Sequence, residues 1–314
     1  MAFRYINPGY GALTGDSSVE TFENFTYNPI NGVSFQKIDN THEIIISTPK
    51  AFTTDIYGKF NLYFDDSTNT FWGFSIGGYS AISKILDRYS SYGIGIHSNS
   101  NCFYFWDSGY NRGTGIQIKK KALNSIWFHL HKDDEQEITS GEMIVNDTKT
   151  TFVSDLNYKQ FSPEPFFYVY FSAFPESIYL SELIISDEYI SPKEKIIVLP
   201  TISLETNMTA GASGIYIANA DNQTLFQSVD ASSLIGNSEN LAVTGISIYG
   251  NPAYKIGAGV ANLTALSKSG TSINEHNTIA LLGDSTATIF DGWGLSSISI
   301  DELQDMQFGW KAGT

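Results

Sequence analysis

Ser125-Ile-Trp-Phe-His-Leu-His131 is the stretch on which the fold of the first two hundred residues turns. Apolar Ile126, Phe128 and Leu130 alternate with Trp127, His129 and His131, the period-two pattern of a strand whose two faces meet different surroundings. The even positions read as the core face and the odd positions as the opposite surface of the sheet. Downstream, Glu142-Met-Ile-Val-Asn-Asp-Thr-Lys-Thr-Thr-Phe152 reads as a hairpin. Tyr179-Leu-Ser-Glu-Leu-Ile-Ile-Ser-Asp187 reads as a further strand, with 188–200 as its exit.

Upstream, Lys59-Phe-Asn-Leu-Tyr-Phe64 alternates in the same way, with Phe60, Leu62 and Phe64 on one face and Lys59, Asn61 and Tyr63 on the other. Phe71 to Ile76, Tyr92 to His97, Asn101 to Trp106 and Thr114 to Lys119 read as more strands. Asp65-Asp66-Ser67 and Ser108 to Gly113 are turn-rich connectors. Ala81 to Arg88 fits a short helix. Residues 1–20, rich in Gly and Ser, read as a poorly ordered or docking arm. Short strands at regular spacing, separated by turn signals, are the pattern of a sandwich.

Composition changes near Pro200. Of 44 aromatic residues, 36 precede position 201 and 8 follow it; Lys and Arg divide 15 to 3. The later part is rich in Ser, Thr, Gly, Ala and Asn, so the reading is two domains, 1–200 and 201–314. The second also reads as β, with strands near Gly214 to Ala218, Leu225 to Val229, Ala242 to Tyr249, Thr278 to Leu282 and Thr286 to Phe290. Ser299 with Glu302 three residues on is a capping box opening a short helix. The strand Gln307-Phe-Gly-Trp-Lys311 then closes the domain, with Trp293, Leu303, Met306 and Phe308 as core. The fold class expected is all-β, two β-sandwich domains.

Bulk properties exclude several classes. The net charge is −15, from 18 Lys and Arg against 33 Asp and Glu. Such a chain is repelled by phosphate backbones, so nucleic acid is not an expected partner. Lys119-Lys-Lys121 is a solvated strand end. No apolar run is long enough for a membrane helix, and no membrane insertion is expected. The first ten residues lack the apolar stretch of a secretory signal. Cys102 is the single cysteine, so no intrachain disulfide is possible.

The segments within 125–200, in their order, resemble the closing half of a laminin-G-like, concanavalin-A-type jelly roll. In the second domain two segments carry another resemblance. One is Leu225-Phe-Gln-Ser-Val-Asp-Ala-Ser-Ser-Leu234 leading to Val243-Thr-Gly-Ile-Ser-Ile-Tyr-Gly-Asn-Pro-Ala-Tyr254. The other is Asp291-Gly-Trp-Gly-Leu-Ser-Ser-Ile-Ser-Ile-Asp-Glu-Leu-Gln-Asp-Met-Gln-Phe-Gly-Trp-Lys311. Together they are similar to β-sandwich modules of tailed-phage and prophage virion proteins, in which such a module often sits beside a concanavalin-A-like one. The resemblances cover most of 55–200 and 225–314; residues 1–55 resemble nothing nameable.

The resemblance implies a non-enzymatic structural protein on the exterior of a virion, as head fibre, head decoration or tail-associated component. It implies assembly in the host cytoplasm, release by lysis, other virion proteins as partners and homo-oligomerisation. Host-surface or environmental glycans are a further expected partner. The alternative is a carbohydrate-binding adhesin or module, and a glycoside hydrolase is a third class.

Hydrolases on this type of sandwich commonly place three acidic residues on one strand, at i, i+2 and about i+4 or i+5. Glu182-Leu-Ile-Ile-Ser-Asp-Glu188 has the wrong spacing, and Asp65-Asp66 and Asp133-Asp134-Glu135 fall in turns, so no catalytic residue is assigned. His129 and His131 share a strand face and are suited to zinc, but the sequence fixes no third ligand. The expectation is no metal and no cofactor. For glycan binding the candidates are Trp127, His129 and His131, with Tyr104 and Trp106 on one face of another strand. The same residues also suit ordinary packing against a second sheet. Asp107 to Gly115 is a Gly-rich surface loop without the lysine or following helix of a phosphate loop.

Overall fold

The computed structural model describes residues 4–7, 36–38, 42–47, 54–64, 74–78, 92–97, 102–107, 110–133, 135–136, 138–154, 166–171, 178–196, 199, 201–212, 216–231, 234, 241–254, 260–282 and 286–313. The protein is all-β and antiparallel, and it divides into two compact units, 2–196 and 197–314.

The first unit contains β1 (Arg4–Asn7), β2 (Gln36–Ile38), β3 (His42–Ser47), β4 (Asp55–Phe64), β5 (Phe74–Gly78), β6 (Tyr92–His97) and β7 (Cys102–Asp107). It continues with β8 (Tyr110–Gln117), β9 (Leu123–Asp133), β10 (Ile138–Val145), β11 (Thr148–Ser154), β12 (Phe166–Phe171) and β13 (Ile178–Ser186). These make a sandwich of two sheets. A seven-stranded sheet runs β1-β13-β4-β9-β10-β11, with β2 also on β13. A six-stranded sheet runs β3-β12-β5-β6-β7-β8. The strands expected from alternation are present, with bounds that differ by a few residues. The N-terminal arm is in part a strand, since Arg4–Asn7 pairs with Leu183–Ser186. The helix expected at 81–88 lies outside the described residues.

The alternation of β4 and β9 builds the core directly. Ile56, Phe60 and Leu62 on β4 and Ile126, Phe128 and Leu130 on β9 are all fully buried. Each such side chain contributes roughly 1.5–3 kcal/mol on leaving water. Gly58 stands opposite Phe128 in the register, and a Cβ there would overlap the Phe128 ring. The glycine therefore makes room for its neighbour's aromatic side chain. The hairpin β10–β11 turns on Asn146 and Asp147, both at positive φ (47° and 70°). Two consecutive left-handed residues match the twist of a two-residue hairpin, and Asn and Asp tolerate them.

β13 contains a bulge. Its register on β4 shifts between Ser181 and Ile184, with Glu182 at φ 51°. Leu180 pairs with Leu62 before the bulge and Ile185 with Gly58 after it. The positions in register with the inward positions of β4 thus pass from even to odd numbers, which is what one inserted residue does to a period-two chain. Leu183 and Ile185 face the core, and Ile184 faces out.

The second unit contains β14 (Thr201–Thr206), β15 (Thr209–Ala210), β16 (Tyr216–Ile217), β17 (Thr224–Val229), β18 (Val243–Tyr254), β19 (Val260–Ser269), β20 (Ser272–Leu282) and β21 (Thr286–Ile298). Helix α1 (Ile300–Gln304) and β22 (Met306–Gly313) complete it. A five-stranded sheet runs β14-β17-β22-β19-β20, and β15-β16 and β18-β21 are two-stranded. Trp293 of β21 is buried with Ala265 of β19, Phe308 and Trp310 of β22, and Ile300 and Leu303 of α1, while Met306 packs partly buried against them. The core residues expected here are core residues. α1 opens with the expected capping box: Ser299 Oγ accepts from Glu302 N (3.1 Å), and Ser299 N donates to Glu302 Oε2 (2.7 Å). Strands β14, β15 and β19 had no counterpart in the sequence reading.

Candidate functional site

The outward face of the seven-stranded sheet carries the site. The register sets its side chains in rows across strands. Asp55, His131 and Ser140 form one row on β4, β9 and β10; Tyr57, His129 and Glu142 form the next; Lys59, Trp127 and Ile144 form the third. All stand at the positions that alternate with the core residues.

The third row is covered. Trp127, 6% exposed, packs with Ile184 and Ile190, and with Ile196 at the edge of the cluster. Its Nε1 donates to the Ile190 carbonyl at 2.8 Å. Lys59 is buried beside it, with Nζ donating to the Glu194 carbonyl oxygen. Burial is the main reason its ammonium pKa is lowered. Asn61 Nδ2 donates to Glu182 Oε2 at 2.6 Å. The segment after β13 thus folds back over this part of the sheet. This corrects the reading of Trp127 as an open ring face, because its indole is a buried anchor.

The first two rows are more open. Asp55, His129 and His131 side chains are 28%, 26% and 40% exposed. Asp55 Oδ1 lies 2.6 Å from His129 Nε2 and 2.9 Å from His131 Nδ1. One carboxylate oxygen thus accepts from two imidazoles. Burial would raise the Asp55 pKa, but hydrogen bonds from His129, His131 and Thr54 outweigh it and hold the carboxyl below its ordinary value. One ligand atom from each of the three residues lies within 4.8 Å of the others.

An aromatic step adjoins them. Tyr57 stacks on His129, with ring centroids 4.1 Å apart and planes at 4°. Tyr189 meets Tyr57 edge-on at 5.8 Å and Trp127 at 6.4 Å, and it is 63% exposed. The Tyr57 hydroxyl pKa is raised, first by burial and then by the nearby acidic groups of Asp55, Tyr189 and Glu142. Glu142 also pairs with Lys149 at 2.7 Å.

The structure therefore brings His129 and His131 together and adds Asp55, Tyr57 and Tyr189, which the sequence reading did not single out. The absence of a third donor was the reason for expecting no metal, and Asp55 now stands in that place. Tyr104 and Trp106 are elsewhere, on β7 of the six-stranded sheet opposite Gly113 and Asn111. They do not extend the Trp127–His131 face. Lys119 and Lys121 lie exposed at the turn between β8 and β9.

No family model matches the chain, and no curated protein matches it. Among solved structures it is similar to basic winged bean lectin with Tn-antigen, at 10% identity and a TM-score of 0.39, over 59% of this chain and 98% of that one. Peanut lectin with a 9mer peptide gives 9% identity and a TM-score of 0.39, over 59% and 97%. An alginate lyase gives 10% identity and a TM-score of 0.36, over 59% and 96%. Likenesses of this size bear on neither ligand nor activity.

Chemically, the cluster offers paired ring donors, a carboxylate held ionised, and an exposed phenol ring beside them. Hydroxyl-rich ligands and cations are the species these groups suit.

Proposed function

We propose that the first unit is a non-enzymatic carbohydrate-binding module, and that the chain presents it on the exterior of a tailed-phage or prophage virion. One observation carries the binding reading: Tyr189 is largely exposed yet held against Tyr57 and Trp127. An aromatic ring fixed at a surface loses little freedom on binding, and its face suits the C–H side of a sugar ring. Asp55, Glu142, His129 and His131 stand near to exchange hydrogen bonds with hydroxyl groups. Virion display is supported by the resemblance of the second unit's closing segment, Asp291 to Lys311. In that setting other virion proteins and copies of this chain are its partners, and many weak sites sum to avidity.

The test is a glycan array probed with the full chain and with Tyr189→Ala. The wild-type chain is expected to bind a restricted set of glycans, and the variant to lose on the order of tenfold in affinity. A wild-type chain that binds no glycan, or a variant that binds equally well, would end the carbohydrate reading. Mass spectrometry of particles made by the parent genome tests display. Absence of the chain from particles leaves the adhesin alternative.

A further inference from the structure

We propose that Asp55, His129 and His131 form a binding site for one divalent transition-metal ion of the zinc type, on the outward face of the seven-stranded sheet. The inference does not depend on the glycan reading.

The geometry comes from strand pairing. His129 and His131 are two apart on β9, so both rings leave the same face. Asp55 on β4 is directly opposite His131 and one diagonal step from His129. Three donors from two neighbouring central strands thus form a triangle. One ligand atom from each of the three residues lies within 4.8 Å of the others. Two imidazoles and one carboxylate, with remaining positions open to solvent, form a donor set that suits zinc and its neighbours better than the all-oxygen preference of calcium or magnesium.

The present contacts leave room for the ion. Oδ1 sits 2.6 Å from one ring nitrogen and 2.9 Å from the other. Zinc bonds of about 2.0–2.2 Å at tetrahedral angles place ligand atoms roughly 3.3–3.5 Å apart. Each pair need open by less than about 1 Å, and these side chains are all partly exposed. The hydrogen bonds now made require a proton on His129 Nε2 and on His131 Nδ1. A metal needs a lone pair on each ligating nitrogen, so on binding those protons leave Nε2 and Nδ1 and the two hydrogen bonds to Oδ1 are replaced by three metal–ligand bonds. Thr54, which hydrogen-bonds Asp55, steadies the carboxylate. Tyr57, stacked on His129, fixes the plane of that ring. Glu142, opposite His129 on β10, adds negative charge that favours a cation.

The experiment uses the full chain, stripped with a chelator that is then removed. Zinc chloride is titrated calorimetrically, and cobalt is titrated by visible absorption. The expected result is one ion per chain and a cobalt spectrum of tetrahedral or five-coordinate intensity. Asp55→Asn and His131→Ala should each weaken binding on the order of 100-fold or more, and Tyr189→Ala should leave it unchanged. His131 is the most exposed of the three ligands, so its variant tests the site even if Asp55→Asn fails to fold. Absence of zinc and cobalt binding below millimolar concentration overturns the proposal. So does a full-strength site in folded His131→Ala, which would place the ion elsewhere. A failed glycan array with an intact metal titration would remove the carbohydrate reading and leave this one standing.

Discussion

His276 shows what a single side chain contributes when two sheets meet. It lies on β20 and stacks on Trp293 of β21, with ring centroids 3.8 Å apart and planes at 13°. Its Nε2 is 2.8 Å from Ser267 Oγ. Burial lowers its pKa from 6.5 to about 4. The native fold thus holds the ring neutral where the unfolded chain would protonate it. The stabilisation is fully present above pH 6.5 and is lost as pH falls towards 4. After discounting for partial exposure, the loss is on the order of 1–2 kcal/mol. Urea midpoints of the full chain measured between pH 7 and pH 4 should show the second unit weakening over that window. His276→Gln should flatten that part of the profile. A variant as pH-sensitive as the wild type would mean that other groups set it.

At the scale of elements, strands pack closely enough for two glycines to be obligatory in different ways. A Cβ on Gly309 of β22 would overlap the backbone carbonyl of Leu225 on β17, which has no rotamer to change. A Cβ on Gly58 would instead overlap the Phe128 ring. Gly309→Ala should therefore cost more than about 3 kcal/mol and Gly58→Ala about 1–3 kcal/mol, measured by urea denaturation of each unit's transition. Equal effects would show that the β17–β22 spacing yields more easily than the register suggests.

The same local packing explains what could be read from the sequence. Strand β9 was legible because Ile126, Phe128 and Leu130 alternate with polar and aromatic positions. The α1 start was legible because a capping box needs only residues 299 and 302. Strand β14 was not, since its side chains are mostly exposed and give no buried stripe. The site was half legible. His129 and His131 announce a shared face, but Asp55 joins them through a pairing between strands over seventy residues apart. Nothing local to Asp55 records that register. Trp127 misled for the related reason that its cover, Ile190 and Ile196, comes from a distant segment.

For the whole molecule, two units with separate cores are the organising fact. Trp293, Phe308 and Trp310 belong to one core, whereas Phe60, Phe128 and Leu130 are buried in the other unit. Limited proteolysis should yield two protected fragments meeting between Ile196 and Thr201, identified by mass spectrometry. Protection of that stretch equal to the strands on either side would argue for one cooperative body. The net charge of −15 favours solubility but does not select a partner.

The bulge at Glu182 has a consequence for how this chain can change over generations. Upstream of it, Leu180 stands opposite Leu62; downstream, Leu183 and Ile185 are the inward residues. Ile184 is thereby turned towards Trp127, and the chain that follows carries Tyr189 and Ile190 over that indole. Straightening the bulge without shortening the chain would exchange inside for outside along Leu183, Ile184 and Ile185 and carry the covering segment away with them. Point replacements along β13 alter one contact at a time, but a change of phase alters every contact beyond it. Related chains that keep this outward face should therefore either retain the extra residue in its bulge, with a side chain that tolerates positive φ at position 182, or lose bulge and residue together.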